Sequence, residues 1–163
     1  MEPFIVKING LNEIYSFADI IKKSFITVAD QYSLTEENSP TNPAFTTLEN
    51  LKVIASKSEC FGVYLNNNPC GFFALEFTNE RKTVYLERVC ILPELRHNGF
   101  GKSILTFAEN YCKNHDVETI SIGVMNQNTV LKKWNQQHGY DEILIKKFPH
   151  LEFEVCFLEN RLK

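Results

Sequence analysis

Residues 89–103 read Val-Cys-Ile-Leu-Pro-Glu-Leu-Arg-His-Asn-Gly-Phe-Gly-Lys-Ser, and no other stretch of the chain restricts the fold as strongly. An apolar run ends at Pro93 and a short turn comes next. From about Gly101, Ile104, Leu105, Ala108, Tyr111 and Cys112 then recur on one face of a helix. A strand, a glycine-containing turn and an amphipathic helix in that order make a cradle for an anion. Gly99 and Gly101 let the backbone bend and a ligand approach. The first N–H groups of the helix lack partners, and the positive end of the helix dipole lies behind them. Arg96 and Lys102 add formal charge.

The rest of the composition bounds what surrounds this turn. The chain has 163 residues, of which 44% are hydrophobic and 23% charged, close to the averages for one globular domain, here residues 1–163. Thirteen Phe, six Tyr and one Trp exclude a disordered chain. No apolar run reaches the ~18 to 20 residues of a membrane helix, and the N-terminus lacks the basic and apolar regions of a secretion signal. Five cysteines without a C-x-x-C spacing, four of them inside apolar runs, read as reduced thiols in a cytoplasmic protein. A net charge of -3 argues against a nucleic-acid partner, so an anionic ligand must be met locally. No pair of His, Cys or carboxylate residues shows metal-ligand spacing, and no metal is expected.

Working outward, Phe4 to Ile8 reads as a strand. Asn12 can cap a helix carrying Ile14, Phe17, Ala18, Ile21, Phe25, Val28 and Ala29 at helical spacing. Residues 33–46 form a long loop rich in Pro, Asn, Ser and Thr. Thr46-Thr47-Leu48-Glu49 has capping-box spacing for a helix to about residue 56. Residues 60–65, 70–77 and 84–92 make an antiparallel meander. The helix from Gly101, a strand at 119–125, a helix at 129–138 and strands at 142–148 and 151–158 complete the chain. The result is an α/β fold, a mixed, mostly antiparallel sheet of about seven strands flanked by about four helices.

Three anion-binding turns compete for residues 96–103, and spacing separates them. A phosphate loop of the G-x-x-x-x-G-K-[ST] type needs glycine where Arg96 stands, and a dinucleotide fingerprint needs glycine where Ile104 stands. Arg96-x-x-Gly99-x-Gly101, after a strand ending in hydrophobic-x-Pro, instead resembles the pyrophosphate turn of the GNAT superfamily of acyl-CoA-dependent N-acyltransferases. The resemblance extends from Phe4 to Leu158 in element order. Asn128, Leu131 and Gly139-Tyr140 match the superfamily's second signature, an Asn opening a helix that ends in Gly-aromatic. Thr35 to Phe45 and Lys146 to Leu151 are similar to segments of a bacterial GNAT subgroup.

That resemblance implies acetyl-CoA as co-substrate and transfer of its acetyl group to a primary amine of a small molecule or peptide, by direct attack in a ternary complex. Alignment of amine and thioester, with backbone donors on the carbonyl, would supply most of the catalysis. It implies that the backbone of Cys90, Ile91 and Leu92 pairs with the pantetheine amides, and that Arg96, His97, Asn98, Gly99, Phe100, Gly101, Lys102 and Ser103 hold the pyrophosphate. Asn128, Leu131 and Trp134 would lie along the pantetheine arm, with the sheet splayed between the strands at 84–92 and 119–125. A homodimer is compatible with it. The family often places a tyrosine seven residues after the signature Asn, to protonate the leaving thiolate, and this chain has Asn135 there. An amide is no acid, so water or Tyr140 is left for that role, or the thiolate leaves unaided. This departure supports an alternative, a CoA-binding regulatory or structural module without transfer.

Two residues compete as general base. Glu87 lies mid-strand, where it either accepts the amine proton or pairs with Arg88 or Arg81. His150 sits at a hairpin tip, where it either borders an acceptor pocket or is a solvated turn residue. His97, His115 and His138 read as turn and helix-end residues, and Cys90 as a buried strand residue and not a nucleophile. Among the aromatic residues, Phe45 is the candidate for acceptor contact because it falls in the long loop.

Overall fold

A computed structural model describes residues 2–163. The chain runs β1 (Phe4–Ile8), α1 (Leu11–Tyr15), α2 (Ala18–Gln31), α3 (Leu48–Lys57), β2 (Glu59–Leu65), β3 (Asn68–Phe77) and β4 (Thr83–Ile91). It continues through α4 (Phe100–Lys113), β5 (Thr119–Met125), α5 (Thr129–Gln137), β6 (Asp141–Lys147) and β7 (Glu154–Arg161). Single 3-10 turns at Pro43–Phe45 and Pro93–Leu95 break the loops before α3 and α4. The seven strands form one sheet in the order β1-β2-β3-β4-β5-β7-β6. Every neighbouring pair is antiparallel except β4 and β5. None of the described helices is long and apolar enough to cross a membrane.

The apolar stripe near the N-terminus belongs to two helices. The Ser16 hydroxyl donates to the Glu13 carbonyl, and such local bonding competes with helix continuation. Phe17, 1% exposed, turns into the core there, against Tyr64 and Phe72. Gly10, and not Asn12, precedes α1. The capping box of α3 sits one residue later than the sequence suggests. The Thr47 hydroxyl accepts from the Asn50 N–H while the Asn50 side chain accepts from the Thr47 N–H, so Glu49 plays no part. The last strand begins at Glu154, because residues 148–153 form a longer connection.

Two cores flank the sheet. Ile8, Ile14, Phe17, Ile21, Leu51, Ile54, Phe72 and Cys90 pack with α1–α3 on one face. Phe61, Phe73, Leu75, Leu86, Ile104, Leu105, Ile120 and Leu158 pack with α4 on the other. The sheet is incomplete at the seam between β4 and β5. Only Thr83, Val84 and Tyr85 are paired, with Thr119, Ile120 and Ser121, after which the two strands part. On the β3 side, Phe72 faces Cys90 and Ala74 faces Glu87, so Arg88 and Val89 share the place opposite Phe73. This bulge holds Arg88 at φ 53, and bulges bend and twist the strand that carries them. β4 therefore turns away from β5, which stays in register with β7 along its whole length.

Candidate active site

Where β4 and β5 part, a cleft of about 450 Å³ passes through the sheet. On the α1–α3 side it is lined by Phe25, Thr41, Pro43, Tyr85, Glu87 and Arg88, and on the α4–α5 side by Leu105, Leu131, Trp134 and Asn135. Ser121, Ile122, Gly123 and Val124 of β5, with Val155 and Phe157 of β7, form the opposite wall. A ligand lying in the gap would find on β4 the strand edge that β5 has left unpaired.

The turn into α4 is built as the sequence suggests in its backbone but not in its side chains. His97 (φ 63) and Gly99 (φ 84) are left-handed on either side of Asn98, a pattern that curls successive N–H groups into a concave anion site. No group among the described residues accepts from the backbone N–H groups of residues 97–102. The first bond of α4 is from the Ser103 N–H to the Gly99 carbonyl. Gly99 offers no capping side chain, so these donors stand at the positive end of a fourteen-residue helix. Lys102 is exposed beside them, and Phe100 anchors the helix in the core at 2% exposure.

Arg96 points elsewhere. Its guanidinium donates to the Ser24 carbonyl, to the Thr27 hydroxyl at 3.0 Å and to the Ile91 carbonyl at 3.3 Å. It ties α2 to the end of β4, so it positions the turn and its charge is already engaged within the protein. Gly101 also differs from expectation, since a methyl added there would lie 3.2 Å from the Trp134 ring. The glycine lets the start of α4 and the middle of α5 approach each other across the mouth of the cleft.

Glu87 is 32% exposed at its side chain, and one of its carboxylate oxygens lies 3.3 Å from an Arg88 nitrogen. Arg88, and not Arg81, is therefore its cation. Burial pushes the Glu87 carboxyl up from its ordinary value, the Arg88 and Lys57 charges pull it back, and the nearby Glu76 carboxylate pushes it up further. The result is a cleft carboxylate more basic than a solvated one. Asn135 is 3% exposed and lines the cleft, its amide donating to the Leu131 carbonyl at 3.0 Å. Asn128 caps α5 by accepting from the Leu131 N–H at 3.2 Å.

Other candidates lie away from the cleft. His150 is exposed on its hairpin, and its nearest aromatic neighbour is Phe148, not a cleft residue. Phe45 is half-buried outside the lining, and the long loop reaches the cleft through Thr41 and Pro43 instead. Cys90, Ile91 and Leu92 lie just past the lined part of β4, and the Leu92 N–H donates to the Cys70 carbonyl. Tyr140 is fully buried, with its hydroxyl toward Glu109, and burial raises its pKa strongly, which removes it as a proton donor to the cleft. Phe25, Tyr85 and Phe157 escape notice in the sequence because an aromatic residue in a periodic apolar run looks the same whether it faces a core or a cleft.

All five cysteines are buried, and burial pushes Cys60 up to about 11 and Cys90 and Cys112 up to about 12. At neutral pH almost no thiolate is present at these sites. A disulfide-exchange reagent at pH 7 should find no fast-reacting thiol in the native protein and five after denaturation. A rapidly labelled Cys90 would reinstate it as a nucleophile.

The acetyltransferase (GNAT) family model matches residues 16–140, and the chain belongs to that family. No curated protein matches the sequence. Among solved structures, the chain resembles the ribosomal-protein-S18-alanine N-acetyltransferase of Escherichia coli (TM-score 0.77, 11% identity), with 99% of this chain and 95% of that one covered. It resembles the PaiA N-acetyltransferase of Thermoplasma acidophilum in complex with coenzyme A (TM-score 0.73, 17% identity, 99% of each chain). A GNAT acetyltransferase of Elizabethkingia anophelis with acetyl-CoA bound is a further likeness (TM-score 0.69, 16% identity, 98% of each chain). At these identities the likeness is one of fold.

Proposed function

We propose that this chain transfers an acetyl group from acetyl-CoA to a primary amine of a small molecule or peptide, by direct attack within the cleft. The observation that carries the reading is the parting of β4 and β5 after Tyr85 and Ser121, which opens a cleft through the sheet whose lining residue Trp134 packs against Gly101, in the turn where the N–H groups of residues 97–102 have no acceptor among the described residues. Those donors suit a pyrophosphate, and the gap between the strands suits an extended amide-bearing arm. When bound, acetyl-CoA supplies the activated acyl group. The N–H groups of residues 97–102 hold its anionic end, and the unpaired edge of β4 orients the arm.

On the opposite face Glu87 accepts the proton that the incoming ammonium must lose, directly or through water, and Arg88 keeps the carboxylate oriented. Asn135 leaves no side-chain acid at the place where the family often has one, and an alkyl thiolate, with an unperturbed pKa of about 8.5, can leave unaided near neutral pH. That same residue favours the second reading, a module that binds CoA without transfer. Thiol release from acetyl-CoA over a panel of primary amines decides between them. Amine-dependent release supports transfer, and tight CoA binding with no release under any amine supports the module.

Gly101→Val should weaken CoA binding at least tenfold, about 1.4 kcal/mol. The branched side chain would drive the Trp134 ring, 3.2 Å from the position of the new Cβ, across the mouth of the cleft. Calorimetry checks this, and unchanged affinity would remove the Gly101–Trp134 mouth from the binding site.

A further inference from the structure

Among the described residues that line the cleft, Glu87 is the only carboxylate and Arg88 the only cation. Neighbouring residues of a strand ordinarily point to opposite faces. Here the bulge that holds Arg88 at φ 53 brings both to the α1–α3 side, where the Arg88 charge also acts on the buried Cys60. A left-handed backbone is costly for a residue with a β-carbon, and such strain collects where a site needs a side chain aimed.

The Arg88 guanidinium is only partly engaged. Its Nη1 donates to Glu87 at 3.3 Å, a single long contact where an arginine–carboxylate pair often makes two of about 2.8 Å. Nε is buried without an acceptor among the described residues, and Nη2, which is not buried, has none either. The Nε–Nη2 edge is a fork with which arginine grips a carboxylate, and no protein group accepts from it. Arg96 is the contrast, with three protein acceptors on its guanidinium. A carboxylate entering the cleft meets Nη2 first, and a small turn of the side chain completes the fork. An unpaired buried N–H costs free energy, which that turn recovers.

We propose that Arg88 binds the carboxylate of the acceptor and that the acceptor is a free α-amino acid with an apolar side chain, an inference that rests on the transfer reading above. Glu87 and Arg88 meet at 3.3 Å, so a molecule that gives its ammonium to one and an anion to the other must carry the two groups close together. An α-amino acid separates them by a single carbon. A peptide N-terminus has a neutral amide at that place, and a polyamine has no anion at all. Phe25, Pro43 and Tyr85, on the same side of the cleft, offer the side chain an apolar wall. The ammonium passes one proton to Glu87, the C–N bond forms as the thioester C–S bond breaks, and the second proton shed by the nitrogen neutralises the departing thiolate.

Thiol release from acetyl-CoA is measured with L-leucine and L-phenylalanine, each against its carboxylate-free amine, isopentylamine or phenethylamine, and against its neutral amide. At least one amino acid should exceed both of its analogues by about tenfold or more in kcat/KM, mainly through KM. Arg88→Met should erase that preference, and Arg88→Lys should keep part of it. The preference is a ratio within one protein, so a general loss of rate in a variant does not move it. Binding is read separately in the isotopically labelled wild-type protein with CoA present. The Arg88 Nε–H signal should shift with the amino acid and not with the amine. Release as fast with the amines as with the amino acids, or a preference that survives in Arg88→Met, overturns the proposal and leaves transfer standing. A carboxylate-dependent shift at Arg88 with no release from any amine supports the carboxylate site and removes transfer. Neither release nor shift overturns both.

Discussion

Glu87→Gln is expected to lower kcat/KM for a true amine acceptor by about 100-fold or more, the ordinary contribution of a positioned general base. The glutamine keeps the shape and can still accept from Arg88, but it cannot take a proton. The pH profile should change with the rate. In the wild-type enzyme, activity should rise with pH as Glu87 deprotonates, at a value pushed above the usual carboxylate range chiefly by burial. That limb should vanish in the variant. The stability sign is opposite. A carboxyl whose pKa is raised by folding favours the folded state below its unfolded pKa, and this contribution is lost as pH rises through the folded value. At pH 7 the neutral amide should therefore melt no lower than the wild type, which separates a catalytic loss from a structural one. An unchanged rate and profile would move proton removal to ordered water and backbone carbonyls.

The largest stability effect is expected at Gly71. A methyl there would lie 2.5 Å from the Cys90 carbonyl oxygen and 2.6 Å from the end of Ile91, with Val63 at 3.2 Å on the other side. The carbonyl belongs to the β4 backbone and cannot rotate away, so β3 and β4 would have to separate next to the bulge that carries Arg88. Gly71→Ala should cost about 3 kcal/mol, at the upper end for overpacking, and lower Tm by about 6–12 °C in a chain of this size. Gly10→Ala is the control, because nothing lies within 4 Å of the added methyl. Equal melting temperatures for the two variants would contradict the close approach of β3 to β4.

The turn at residues 97–103 is legible in the sequence because glycine at two fixed positions and a helical stripe after them are local signals. The order of elements is legible from alternation and turn chemistry. Side-chain direction is not. Arg96 has the right type and place for an anion site, but its partners Ser24 and Thr27 lie on a helix some seventy residues earlier. The bulge at Arg88 bends β4 without glycine or asparagine to announce it, and only the register against β3 reveals it. Tyr140 and Asn135 show the same limit, since the sequence places a phenol and an amide near the cofactor signature without saying where either points. In the fold Tyr140 faces Glu109 and Asn135 faces the cleft.

The most direct measurement is the map of backbone amide shifts on adding CoA to the isotopically labelled protein. The largest changes are expected at residues 97–102, whose N–H groups have no acceptor among the described residues, and along β4 from Leu86 to Val89, with β6 unaffected. Shifts centred elsewhere on the sheet, or none at saturating CoA, would contradict the assignment of this turn and cleft as the CoA site.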